Sequence, residues 1–224
     1  MKKNIGVNLF LAFVFTSFSL AVIYAAVFNV SVSEDYMLLI FQNSAGAALL
    51  LLPILLRCRT KLHIPAGMLI LYAAFLYCAI FLGTVFNFYF RVPHWDTILH
   101  LFSGVMLGII GFSVVNLFNR SDKALFSLQP GFAALFAFCF ALALGGIWEI
   151  FEFSMDYFAG TNMQMYALED GTPYIGQAAL FDTMKDLVAD AIGALVVSVF
   201  GFVSLKYKKG WLEQVLLRRE QKTD

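Results

Sequence analysis

Charge is scarce in this chain and cysteine scarcer. Only 13% of the 224 residues are Asp, Glu, Lys or Arg, against 61% hydrophobic and 17% aromatic. A water-soluble domain of that composition has too little polar surface to cover itself, so that class is excluded. The three cysteines, Cys58, Cys78 and Cys139, stand apart without a CxxC spacing. They argue against disulfides and a thiolate metal site and for plain apolar packing. Basic and acidic residues number 15 each. That balance says nothing of partners until the charges are placed on sides, and no nucleic-acid partner is expected. No internal repeat relates the first half of the chain to the second, which counts against a carrier built from inverted repeats.

What fills the chain instead is long apolar runs. A bilayer core about 30 Å thick needs roughly 20 apolar residues per helix. Six runs qualify, at about residues 5–29, 36–56, 65–88, 97–118, 130–155 and 183–205. The expected fold is therefore all-α, a polytopic membrane helical bundle of six transmembrane helices. Residues 1–205 form one membrane domain and residues 206–224 a basic tail. The first run follows Lys2 and Lys3 as a signal peptide would, but its apolar part is too long for one and is read as a retained helix. The lipid bilayer is the partner this fold requires, and no oligomeric state is implied.

Positive residues in short loops stay on the cytoplasmic side. With both termini cytoplasmic, every Lys and Arg except Arg91 and Lys185 falls inside. Of the acids, only Asp122, Glu213, Glu220 and Asp224 do. That orientation brings the start of the fourth span, the end of the fifth and the start of the sixth to the extracytoplasmic side. The tail carries Trp211, Leu212, Val215, Leu216 and Leu217 at helical spacing. It reads either as an amphipathic helix on the inner leaflet or as a frayed segment.

Ionisable residues inside membrane spans are costly and face a bundle interior or a wet cavity. The fourth span opens HWDTILHLFSG, where Asp96 and His100 share a face with Gly104 and Gly108. Such a glycine stripe lets another helix come close. The fifth ends GGIWEIFEFSMD, with Glu149, Glu152 and Asp156 on one face. The sixth opens DTMKDLVADAIGA, and Asp182, Asp186 and Asp190 descend about 12 Å along it, followed by Gly193. Asp190 and Glu149 should lie deepest, with His100 shallower.

Seven carboxylates and the imidazoles of His94 and His100 thus gather near one face, with Arg91 and Lys185 as the nearest cations. Carboxylates so crowded must take up protons or recruit a metal. The expected ligands are His100, Asp96, Glu149, Glu152, Asp186 and Asp190, a set that suits a divalent ion, Mg, Mn, Fe or Zn. Glu149, Glu152, Asp186 and Asp190 are the candidate catalytic groups. Asp156 and Asp182 have a plainer reading as interfacial acids, with Asp182 capping the sixth helix. The outer stretch 157–181, broken by Gly160, Gly171 and Gly176, joins two site helices and reads either as a lid or as a mobile loop. His63 lies on a basic loop and needs no further explanation.

The order WDxxxH with a glycine stripe, then ExxE, then DxxxDxxxDxxGA resembles a family of uncharacterised bacterial inner-membrane proteins. More distantly it is similar to the VanZ-like family linked to teicoplanin resistance. The likeness covers about residues 90–200. It implies a multi-pass protein of the bacterial inner membrane with a role in the cell envelope. Glu152 stands where the VanZ-like pattern has Gln, and no Arg precedes Asp186.

Three functions remain open. The acids and His100 hold a metal that activates water against a lipid-linked or envelope substrate, as in a metal-dependent hydrolase at the outer leaflet. Alternatively the same acids carry protons or divalent cations through a transporter. The third possibility is a non-catalytic resistance or sensor protein that binds an envelope small molecule.

Overall fold

The computed structural model describes residues 5–28, 34–60, 62–119, 127–168 and 170–219. Lys2, Lys3, Lys61, Arg120, Lys123 and Lys222, on which much of the charge asymmetry rests, lie outside the described residues. So do Asp122, Glu220 and Asp224. The helices are α1 (Ile5–Phe28), α2 (Glu34–Leu50), α3 (Leu52–Thr60), α4 (Ala66–Leu76), α5 (Phe88–Arg91), α6 (Trp95–Asn119), α7 (Pro130–Ala159) and α8 (Gln177–Lys206). Among the described residues, six helical stretches are long and apolar enough to cross a membrane, with α2 continuing into α3 and α4 into a π-helical segment. Leu9 and Leu20 of α1 and Ile147, Ile150 and Phe153 of α7 turn outward and are more than half exposed. A bilayer is the solvent that accepts such a surface, since each helix satisfies its own backbone.

Two compact units divide the described chain, one reaching to Trp95 and resuming at Gln214, the other running from Asp96 to Glu213. In the first, Val14, Phe18, Leu50, Ala73 and Leu76 form the core. The second span is not the continuous helix expected over 36–56. It breaks at Leu51 because Pro53 has no N–H and its ring collides with the carbonyl four residues back. That carbonyl, on Leu49, accepts the Tyr72 hydroxyl at 2.7 Å instead. The third span passes from α4 into π-helix over Tyr77–Val85 and ends there, short of Phe88. In this segment the Ala79 carbonyl accepts the Tyr89 hydroxyl, and any side chain at Gly83 would strike the Tyr89 ring.

The tail departs from an amphipathic helix. After α8 the chain makes a single 3-10 turn at Leu212–Gln214, and Leu212 and Leu216 are buried. Strand β2 (Arg218–Arg219) then pairs antiparallel with β1 (Leu62–His63). The chain leaves helical φ/ψ at Lys208 and Gly210, both with positive φ, so apolar spacing alone does not carry the helix on.

In the second unit α7 and α8 have 30 residues each, about 45 Å, which exceeds a hydrocarbon core by about 15 Å. Each helix buries one stripe that is small along most of its length and acidic at one end. On α7 the stripe is Ala133, Ala137, Ala141, Gly145, Glu149, Glu152 and Asp156. On α8 Asp182, Asp186 and Asp190 lead into Gly193, Ala194 and Val197. On α6 Asp96 and His100 lead into Gly104, Gly108 and Gly111. The small residues set the helix spacing, because a Cβ at Gly193 would strike the Leu101 carbonyl and one at Gly104 would lie 2.5 Å from the Asp190 carbonyl. Backbone meets backbone there, which brings the acidic ends together.

Candidate functional site

His100 organises the cluster. Its Nδ1 lies 3.0 Å from Asp190 Oδ2, and Ser103 Oγ lies 2.8 Å from Asp190 Oδ1. With Nδ1–H donated to Asp190, Nε2 is the nitrogen left to face the other acids, and it would offer a lone pair whenever the ring is neutral. Nε2 faces Glu149 Oε1 at 3.7 Å and Asp96 Oδ1 at 3.9 Å. Asp190 is 0% exposed and sits in a niche opened by Gly145, where a methyl group would strike its carboxylate. Both of its oxygens are engaged, so it stands behind the imidazole.

The other acids are differently placed. Glu152 Oε1 accepts the Trp148 indole N–H at 2.9 Å. Glu149 Oε2 lies 3.4 Å from Gln164 Nε2, which also donates to Thr183 Oγ1 at 2.8 Å. Lys185 Nζ lies 2.6 Å from Asp182 Oδ1 and 3.9 Å from Asp186 Oδ2. Two oxygens stand out: Glu149 Oε1 and Asp186 Oδ1 are buried without a hydrogen-bond partner. A buried polar atom without a hydrogen bond costs about 1–3 kcal/mol, so native proteins rarely keep one without a reason.

Asp156 and Asp182 are both buried within the protein. Asp156 is buried and accepts the Thr161 hydroxyl and the Met163 and Gln164 N–H groups at 2.6, 2.6 and 2.9 Å. It anchors the connection between α7 and α8, which is shorter than the expected 157–181 because both helices run on. Asp182 is no helix cap, since α8 begins at Gln177 after Gly176 and Asp182 lies in its second turn. The connection carries its own hairpin, with Ala167 bridging Pro173 around Gly171. At the hairpin tip the Thr172 N–H holds the Asp170 carboxyl below its ordinary value.

Asp96, His100, Glu149, Glu152 and Asp186 do converge. Three trios each offer ligand atoms within 4.8 Å of one another: Asp96, His100 and Glu152; His100, Glu149 and Asp186; and Asp96, Asp182 and Asp186. Ligands opposed across an ion at 2.0–2.4 Å stand about 4–5 Å apart, so these trios have a size an ion fits. Of the two outer cations expected, Lys185 belongs to this unit and Arg91 to the other. His94 is an exposed turn residue with φ 60°.

Sequence reasoning passed over Ser103, Trp148, Gln164 and Thr183. Ser103 and Trp148 had a signal, since each stands three or four residues from His100 or Glu152 on the same helix face. Gln164 had none, because its approach to Glu149 depends on how Asp156 folds the connection.

The chain belongs to the family described as "Predicted membrane protein (DUF2238)", which matches residues 15–207. A Thermotoga maritima protein named "Uncharacterized protein" is 30% identical over 117 residues, 52% of this chain and 52% of that protein. The chain thus spans about half the length of the curated relative it matches. No solved structure matches it.

Proposed function

We propose that this member of a membrane-protein family is a metal-dependent hydrolase of the bacterial inner membrane. Its divalent ion is held by His100, Glu149 and Asp186, and its substrate is lipid-linked or another envelope small molecule. The observation that carries the reading is the trio His100, Glu149 and Asp186, whose ligand atoms lie within 4.8 Å of one another, with Glu149 Oε1 and Asp186 Oδ1 each buried without a hydrogen-bond partner. A divalent ion would satisfy both and take the imidazole lone pair. The carboxylate–histidine pair of Asp190 and His100 is the usual support behind a metal-bound imidazole. An ion so held supplies a water whose pKa falls to about 7. Asp96 and Glu152 stand next to it as proton acceptors, and Asp190 acts as a positioning residue. A cell-envelope role is what the VanZ-like resemblance implies.

Melting the purified chain in detergent tests the ion. An ion bound only to the folded state at a hundredfold excess over Kd stabilises by about 2.7 kcal/mol. For a chain of this size that is about 5–11 °C in Tm. Mn or Zn added after EDTA should produce such a rise, and a flat response to every divalent ion would remove the metal. The reaction is tested on an extract of bacterial envelope lipids, from which restored metal should release a water-soluble headgroup. Metal binding with no metal-dependent product would favour ion transport by the same acids.

The extracytoplasmic position of the site rests on the charge asymmetry of the loops. Ile175, 89% exposed between α7 and α8, is the place to probe it. In a chain freed of Cys58, Cys78 and Cys139, Ile175→Cys should react with a membrane-impermeant maleimide added to intact cells whose outer membrane is opened. Labelling only after lysis would put the site on the cytoplasmic face.

A further inference from the structure

Asp186 belongs to two of the three trios. With His100 and Glu149 it serves the ion proposed above; with Asp96 and Asp182 it outlines a second position next to the first. Adjacent cation positions sharing a carboxylate are the usual layout of two-metal sites, where the ions stand about 3.5–4 Å apart. At the second position a charge is already present. Lys185 reaches across one turn of α8 to Asp182 Oδ1 at 2.6 Å, with Asp186 Oδ2 at 3.9 Å. Its side chain is 22% exposed, whereas those of Asp182 and Asp186 are 10% and 1%. The ammonium therefore enters from the accessible side and ends on the buried acids.

We propose that Asp96, Asp182 and Asp186 form a second cation position whose resident cation is the tethered ammonium of Lys185, so that the wild-type chain binds one divalent ion where its carboxylates could hold two. The inference rests on the metal reading of the first position. Two observations beyond charge counting support it: Lys185 Nζ reaches both Asp182 Oδ1 and Asp186 Oδ2, and Asp186, almost wholly buried, keeps its other oxygen, Oδ1, without a hydrogen-bond partner for the first ion to take. An ammonium is a compact point charge that donates three hydrogens. It offsets part of the charge of two neighbouring carboxylates with no ion drawn from solution. A tethered cation also stays at high effective concentration, so a free ion must compete against it. Removing Lys185 should open the position to such an ion.

The experiment counts Mn bound per chain in the full-length protein in detergent, by equilibrium dialysis and elemental analysis. Wild type should hold one Mn. Lys185→Met, which keeps most of the aliphatic stem and loses the charge, should hold two, and Lys185→Arg should hold one. Adding Asp182→Asn to Lys185→Met should return the count to one. A Lys185→Met chain that aggregates in EDTA supports the proposal if Mn recovers it and the recovered protein holds two Mn. One Mn in both wild type and Lys185→Met overturns it while leaving the first site standing. Two Mn in wild type overturns it also, since Lys185 would then not fill the position. A Lys185→Met chain that Mn cannot recover makes Lys185 a structural residue and overturns it as well. No Mn in either protein defeats the metal reading beneath it.

Discussion

Asp186→Asn and Glu149→Gln are each expected to abolish the rise in Tm on adding divalent ion, while melting in EDTA at or above the wild-type temperature. The two halves have separate causes. Each substitution removes one of the oxygens that is buried without a partner. Losing a ligand of a three-residue site should weaken binding a hundredfold or more. At an ion concentration that stabilises wild type by about 2.7 kcal/mol, a hundredfold weaker site contributes only about 0.4 kcal/mol. In EDTA the balance reverses, because a neutral amide is cheaper to bury than a carboxylate and repels no neighbouring acid. Asp190→Asn should behave differently. Both of its carboxylate oxygens are engaged by Ser103 and His100, so the change disturbs the support of the imidazole and should weaken the ion by about 10–100-fold. The measurement is a set of melting curves for the three variants across a Mn titration. Lower Tm in EDTA for both Asp186→Asn and Glu149→Gln, with no ion response in wild type, would make these acids structural hydrogen-bonding partners.

Gly193→Ala is expected to cost about 3 kcal/mol or more and to remove ion binding along with it. A methyl there strikes the Leu101 carbonyl and lies 3.1 Å from Val105 N, and both belong to the backbone of α6. No rotamer relieves a clash with a helix backbone, so α6 and α8 must move apart. Overpacking of this kind costs about 1–3 kcal/mol when neighbours yield, and this contact has little to give. Separation would also draw His100 from Asp190, since the two sit on the helices being parted. Gly146→Ala supplies the control, because a Cβ at that position meets nothing within 4 Å. It should fold and bind Mn as wild type does. Parallel melting and ion titration of the two variants separates a local steric effect from a general intolerance of alanine in these spans. Wild-type behaviour of Gly193→Ala would mean that α6 and α8 are not pressed together there.

Most of the membrane architecture was legible in the sequence, for a simple reason. Lipid tolerates neither unpaired backbone nor scattered charge, so six apolar runs announce themselves and every acid within them is conspicuous. The four-residue period placed Asp96 with His100, Glu149 with Glu152, and Asp182 with Asp186 and Asp190 on single faces. The glycines that follow them pointed to close helix packing, and Gly104 and Gly193 do meet opposing backbone. Where the helices end was less readable: α7 runs on through Tyr157 and Phe158 and α8 begins ahead of Leu180 and Phe181, which makes Asp182 an interior rung. The break at Leu51 follows from Pro53, yet the Tyr72 hydroxyl that donates to the freed Leu49 carbonyl comes from another helix.

By itself, then, the sequence determined that this is a multi-pass membrane protein and which of its residues are too costly to bury in lipid without a role. The periodicity of one helix reports which residues share a face, and nothing more. Which faces meet depends on the rotation and axial offset between helices, and here those follow from backbone contacts at Gly104, Gly111 and Gly193. Only the tertiary structure therefore decided that Asp190 stands behind His100, that Lys185 spends its charge on Asp182, and that Asp156 shapes the connection delivering Gln164 to Glu149. Along each helix those acids look alike, and their partners distinguish them because hydrogen bonds and ion pairs act over about 3–4 Å, a distance that only packing sets.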